Sequence, residues 1–237
     1  MKWAQITDKG LTREFNEDNL LITPEIGALA VADGMGGHQG GRIASKLALK
    51  TFEQELTRML RHAGEFPKVL QDAVKMANSA VYAHAYEKPE LKGMGTTITA
   101  CVQHDRQLFI AHVGDSRAYL LRQGNIRQMT RDHSLVQELM QKDVINEEQA
   151  RSHPQRHLLT RALGAEPFVE VDNYQINLLP GDQLLLCTDG LTRYLQPPEL
   201  LEVLMQGMDP ERSLEALLNK ALKAGGADNI TMVLACF

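Results

Sequence analysis

Four aspartates in this chain fall where apolar segments end. Asp33 follows the run Ala28–Ala32 and precedes Gly34, and Asp115 comes just after Leu108–Val113 and Gly114. Asp189 follows Leu184–Cys187 and precedes Gly190, and Asp228 lies just before Ile230–Phe237. Any one Asp-Gly pair is ordinary turn chemistry. Strand ends of one sandwich can share a rim, however, and carboxylates gathered there raise one another's pKa unless a multivalent cation neutralises them. All-oxygen ligation without cysteine selects hard ions, so Mg²⁺ or Mn²⁺ is the expected species. A single aspartate can bridge two such ions.

The glycine-rich stretch Asp33-Gly34-Met35-Gly36-Gly37-His38-Gln39-Gly40-Gly41 lacks the Gly-Lys-Ser/Thr ending of a P-loop. A dinucleotide fingerprint starting at Gly34 would need glycine where Gln39 stands. The stretch can instead expose backbone groups beside Asp33, suited to a metal or to a phosphate at the start of the following helix. Near the N-terminus, Glu17 and Asp18 read as a solvated turn. Beside a metal rim they could orient metal-bound waters, while the planar donor fork of Arg13 could clamp a phosphate. His62, His84, His104, His112, His153 and His157 have no metal-ligand spacing and read as surface or partly buried residues. Ser116 and Ser134 have no matching base and orienting group, which argues against a serine-nucleophile hydrolase.

These residues need a scaffold that brings strand ends together. Short runs rich in Val, Ile, Leu, Thr and Tyr predict strands over Trp3–Thr7, Asn19–Thr23, Ala28–Ala32, Thr96–Val102, Leu108–Val113, Ala118–Leu121, Val171–Leu178, Gln183–Cys187 and Ile230–Phe237. Leu70, Ala73, Val74, Ala77, Ala80 and Val81 recur at three- and four-residue steps, predicting a helix over Pro67–Glu87. A looser version of the pattern predicts another over Gly41–His62. Shorter helices are expected over Pro198–Met205 and Glu211–Ala224. Strands come in blocks and the long helices come together, so an α+β layered sandwich with antiparallel sheets fits better than a parallel α/β sheet.

The chain has 237 residues, 43% hydrophobic and 23% charged, with no linker, repeat or low-complexity tract. One domain over residues 1–237 is expected. A net charge of −5 leaves no basic field for nucleic acid or an anionic membrane. No spanning segment or signal-peptide core is evident, so a cytoplasmic protein is expected. Cys101, Cys187 and Cys236 read as small buried hydrophobes, with no spacing suited to disulfides or a cysteine-rich zinc site.

Taken in order, eight motifs resemble bacterial members of the metal-dependent protein phosphatases, the type 2C Ser/Thr phosphatases. They are Arg13-x-x-Asn16-Glu17-Asp18, Asp33-Gly34-Met35-Gly36-Gly37-His38, Gly93-Met94-Gly95-Thr96-Thr97, Gly114-Asp115-Ser116-Arg117, Thr130-x-Asp132-His133-Ser134, Leu159-Thr160-Arg161-Ala162-Leu163-Gly164, Thr188-Asp189-Gly190 and Asp228-Asn229-Ile230-Thr231. The resemblance spans nearly the whole chain. It implies a four-layer αββα sandwich of two antiparallel sheets, with a binuclear Mn²⁺/Mg²⁺ centre between them. It makes Asp33 the bridging ligand and Gly34 a ligand through its carbonyl. Asp189 and Asp228 complete the first metal's shell, and Asp115 with Asp189 would hold the third ion typical of bacterial members. Glu17 and Asp18 become water-mediated partners, and Arg13 the phosphate-binding arginine. Eukaryotic members carry a His nearby as general acid, whereas Met35 follows Asp33-Gly34 here. The proton donor then falls to a water on the third ion or to His38. His133 is expected to brace the loop before the flap, the variable segment from about 135 to 158.

The function expected is hydrolysis of phosphoserine and phosphothreonine on proteins, the targets of a Ser/Thr kinase, by a metal-activated water in a monomeric enzyme. A non-catalytic phosphoprotein-binding regulator, or a metallophosphoesterase acting on small phosphates, are the alternatives.

Overall fold

The five residues Ala28–Ala32 are all buried because the strand they form is covered on both faces. Ala28, Ala30 and Ala32 pack against long helices, while Leu29 and Val31 point into the space between two sheets. A strand covered on both sides carries a continuous apolar run in place of alternation. The same logic explains Leu184–Cys187 and Ile230–Ala235.

The computed structural model describes residues 2–36, 40–61 and 65–237. In chain order the first half contains β1 (Lys2–Asp8), β2 (Asn19–Thr23), β3 (Ala28–Ala32), β4 (Gly34–Met35), α1 (Gly40–Leu60), α2 (Phe66–Glu87), β5 (Gly95–Thr96), β6 (Ile98–His104) and β7 (Gln107–Val113). The second half contains β8 (Arg117–Arg122), β9 (Asn125–Gln128), α3 (Leu135–Gln141), α4 (Glu147–Ser152), β10 (Asp172–Asn177), β11 (Gln183–Cys187), α5 (Asp189–Thr192), α6 (Pro197–Leu204), α7 (Pro210–Lys223) and β12 (Ile230–Cys236). One five-stranded sheet runs β10-β7-β6-β3-β2 and the other β1-β12-β11-β8-β9, with antiparallel pairing throughout. Helices α1 and α2 cover the first sheet, α6 and α7 the second, and Leu29, Val31, Ile110, Leu184, Leu186 and Val233 fill the layer between. The expected α+β, four-layer αββα sandwich is the architecture observed.

The stripe on α2 is buried against the first sheet at Leu70, Ala73, Val74, Ala77 and Val81. Helix α7 opens with Asp209 accepting the Arg212 amide at 2.9 Å, an N-cap contributing about 1 kcal/mol. The expected strand Thr96–Val102 is divided. Gly95–Thr96 pairs with Gly34–Met35, and β6 begins at Ile98 because Thr97 turns its amide to the Asp33 carbonyl at 2.9 Å. Helix α1 closes at Leu60, and His62 lies outside the described residues. Segment 135–158 carries the short helices α3 and α4, capped by Ser134 and Asn146 side chains.

Candidate metal centre

Each sheet contributes two of the four aspartates. Asp33 and Asp115 follow β3 and β7 of one sheet, while Asp189 follows β11 and Asp228 precedes β12 of the other. All four line one open cleft of about 910 Å³, together with Arg13, Glu17, Gly34 and Arg193. Its far wall is formed by residues from His157 to Glu170, including the exposed Phe168.

Close backbone contacts hold the loops in register. A Cβ on Gly190 would overlap the Asn229 carbonyl oxygen, so the Asp189 and Asp228 loops touch only because this residue is glycine. A Cβ on Gly34 would likewise overlap the Gly41 carbonyl oxygen. Thr97 Oγ1 accepts the Asp33 amide at 2.9 Å and hydrogen bonds Ser116 Oγ at 2.7 Å, tying the Asp33 and Asp115 loops together. Asn229 Oδ1 accepts the Glu17 amide at 2.8 Å, and its Nδ2 donates to the Lys9 and Phe15 carbonyls. The segment carrying Arg13, Glu17 and Asp18 is thereby fastened beside Asp228.

The carboxylates perturb one another strongly. Burial, then the charges of Asp18, Asp189, Asp115 and Asp228, push the Asp33 pKa well above the usual carboxylate value. Burial and Asp189 do the same to Asp115. Burial raises Asp18 to about 7 despite the hydrogen bond from Thr188, and raises Glu17 against the pull of Arg13. The Oε1 of Glu17 and Oδ1 of Asp189 are buried with no hydrogen-bond partner. Unsatisfied buried oxygens of this kind and raised carboxylate pKa values are what a hard cation relieves, so the donor set fits one.

Two arginines already occupy part of the cluster. Arg13 reaches Asp228 with Nε 2.9 Å from Oδ1 and one terminal nitrogen 3.0 Å from Oδ2. Arg193 places Nε 2.9 Å from Asp189 Oδ2 and another nitrogen 2.7 Å from Asp228 Oδ2. Burial opposes the charge of Arg193, but Asp189 and Asp228 outweigh it and raise its pKa. Among the described residues, no group of three or more His, Cys, Asp or Glu side chains is positioned to hold a metal ion as it stands.

All the expected site residues among those described therefore meet at this cleft, with Asp18 buried behind it. His38 lies outside the described residues. His133 braces the Asp115 loop: its Nδ1 accepts the Gly114 amide at 3.0 Å, and its own amide donates to the Gly114 carbonyl at 2.7 Å. Arg193 escaped the sequence reading, although its spacing of four from Asp189 across a helical turn was the available signal. Thr188 and Asn229 stood within motifs, but their bracing contacts were not foreseeable.

Residues 12–225 match the family model of protein phosphatase 2C. The chain belongs to that family, and its class is that of the serine/threonine phosphatases. The serine/threonine phosphatase stp of Listeria innocua is 40% identical over 234 residues, covering 96% of this chain and 92% of its own. The crystal structure of the serine/threonine phosphatase PstP/Ppp of Mycobacterium tuberculosis matches with a TM-score of 0.90 and 38% identity, covering 98% of this chain and 97% of that one. A structure of the PstP catalytic domain in complex with two manganese ions matches at a TM-score of 0.86 and 37% identity, covering 98% and 96%.

Proposed function

We propose that residues 1–237 form one catalytic domain that hydrolyses phosphoserine and phosphothreonine on proteins, with Mn²⁺ or Mg²⁺ held by Asp33, the Gly34 carbonyl, Asp115, Asp189 and Asp228. The observation that carries this reading is the convergence of four carboxylates, two from each sheet, in one cleft where their mutual repulsion calls for a cation. The two manganese ions of the PstP structure support it. When bound, such ions supply an acidified water nucleophile and neutralise charge on the phosphoryl group.

Asp33 feels the charge of Asp18, Asp115, Asp189 and Asp228, which suits it to bridge two ions. Asp189 and Asp228, whose loops meet at Gly190, would hold one ion with Asp33, and Asp115 with Asp189 would hold a third. Glu17 in the cleft lining and Asp18 behind it would orient metal-bound water. Arg13, with about half its side chain exposed, can exchange the Asp228 carboxylate for a substrate phosphate, to which its fork is equally matched. Protonation of the departing oxygen is assigned to water at the Asp115 side of the cleft. Segment 135–158 leads into His157 and Leu158 on the wall, which supports a role in selecting substrates. The substrates are targets of a Ser/Thr kinase and the enzyme acts as a monomer in the cytoplasm, a reducing compartment with which the free buried thiols Cys101 and Cys187 accord.

Phosphate release from a phosphothreonine peptide, p-nitrophenyl phosphate and a nucleoside monophosphate should be compared with and without Mn²⁺. Mn²⁺-dependent turnover, abolished by a chelator and favouring the phosphopeptide over the nucleotide, is expected. Metal-independent turnover, or preference for the nucleotide, would overturn the reading.

A further inference from the structure

One cation belongs to the chain itself. Arg193 sits at the end of α5, and the helical turn carries its guanidinium over Asp189. It donates through Nε and a terminal nitrogen to one oxygen of Asp189, and its other terminal nitrogen lies 2.7 Å from Asp228. Arg13 holds the same Asp228 through both of its carboxylate oxygens. The other oxygen of Asp189 is buried without a partner. A carboxylate clamped by a guanidinium cannot turn both oxygens toward a metal, which accords with the absence of a ready ligand group among the described residues.

We propose that Arg193 is a resident counter-ion that competes with divalent metal for Asp189 and Asp228, so that loading the centre requires its guanidinium to leave these carboxylates and turn into the cleft. The inference rests on the assignment of Asp189 and Asp228 as metal ligands. Its physical basis is exchange. Without the arginine, the metal-free cluster keeps its repulsion and is less stable. With it, that repulsion is relieved, but every metal-binding event must break charge-assisted hydrogen bonds to two carboxylates. Arg193 thus stabilises the metal-free protein and weakens the apparent metal affinity by the same interaction. Its exposure, about 29% of the side chain, leaves it free to move toward the open cleft without crossing packed core.

The test is calorimetric titration of Mn²⁺ into chelator-stripped parent, Arg193→Gln and Arg193→Lys, with melting temperatures of each protein with and without Mn²⁺. Arg193→Gln should bind Mn²⁺ about tenfold more tightly or better, given the usual strength of such hydrogen bonds. Its metal-free form should melt lower than the parent while its Mn²⁺-loaded form melts at the parental temperature, a split that general structural damage would not give. Arg193→Lys, which keeps the charge but loses the fork, should fall between. Equal Mn²⁺ affinity in all three proteins, or weaker binding by Arg193→Gln, would overturn the competition while leaving the metal centre intact. Failure of the parent itself to bind Mn²⁺ would overturn both.

Discussion

Thr188 donates its hydroxyl to Asp18 Oδ2 at 2.8 Å, and the same hydroxyl oxygen accepts the Thr231 amide at 3.0 Å. Both side chains are buried. One threonine at the end of β11 thus serves a buried acid from the N-terminal segment and an amide of β12. Thr188→Val should destabilise the protein by about 2 kcal/mol in urea titration, since it strips partners from a buried acid and a buried amide. Thr188→Ser should retain most of the parental stability. Equal losses in the two variants would show that packing, not the hydroxyl, matters there.

Asp33 is held at a raised pKa by burial and four neighbouring acids, so its charge opposes folding of the metal-free protein. Asp33→Asn should therefore raise the melting temperature without metal, while lowering phosphopeptide turnover by about 10³ or more. A metal-free melting temperature below that of the parent would contradict the electrostatic account.

Asp115 tests the delivery of a proton to the departing oxygen. A serine alkoxide needs that proton far more than p-nitrophenolate does. Asp115→Ala should lower phosphopeptide turnover by about 10² and p-nitrophenyl phosphate turnover much less, within the usual range for losing a general acid. Equal losses on both substrates would remove Asp115 from that role.

His112 gives the stability an acid limb. Burial, then the neighbouring His133, hold its pKa at about 4, below the ordinary 6.5, while Thr99 and the Arg131 carbonyl occupy its ring nitrogens. The unfolded chain takes up a proton between these values that the folded chain refuses. The stability present above pH 6.5 is therefore lost as pH falls toward 4, by up to about 1.4 kcal/mol per pH unit. Denaturant titrations at pH 7 and 5 should show a smaller drop for His112→Gln than for the parent, and the raised carboxylates, which act in the opposite direction, cancel in that comparison.

Much of this molecule could be read before folding because its inner strands are covered on both sides. Ala28–Ala32 and Gln183–Cys187 have the boundaries their apolar runs predict, and the α2 stripe is buried as its spacing requires. The four aspartates were legible as strand-end residues, three of them beside glycine. Other features were not, for physical reasons. Strand β9, Asn125–Gln128, is a short polar edge whose pairing to β8 comes from a tight connection and not from burial. Helices α3 and α4 depend on caps more than on an apolar face. Arg193 offers the sequence only its i,i+4 spacing from Asp189; its second partner, Asp228, comes within reach only when β12 folds beside β11.

The two pairs of strand-end aspartates hang from opposite leaves of the sandwich, and their separation is set by what lies between the leaves. Leu29, Val31, Ile110, Leu186 and Val233 are therefore spacers as well as core. They act as a gauge block: swelling or thinning that layer would retune the gap that the proposed centre offers an ion without altering any of its proposed ligands. Ionic radius separates hard cations of like charge, with oxygens at about 2.0–2.1 Å from Mg²⁺ and 2.3–2.6 Å from Ca²⁺. A preference among them can thus be inherited through methyl groups that no cation ever meets.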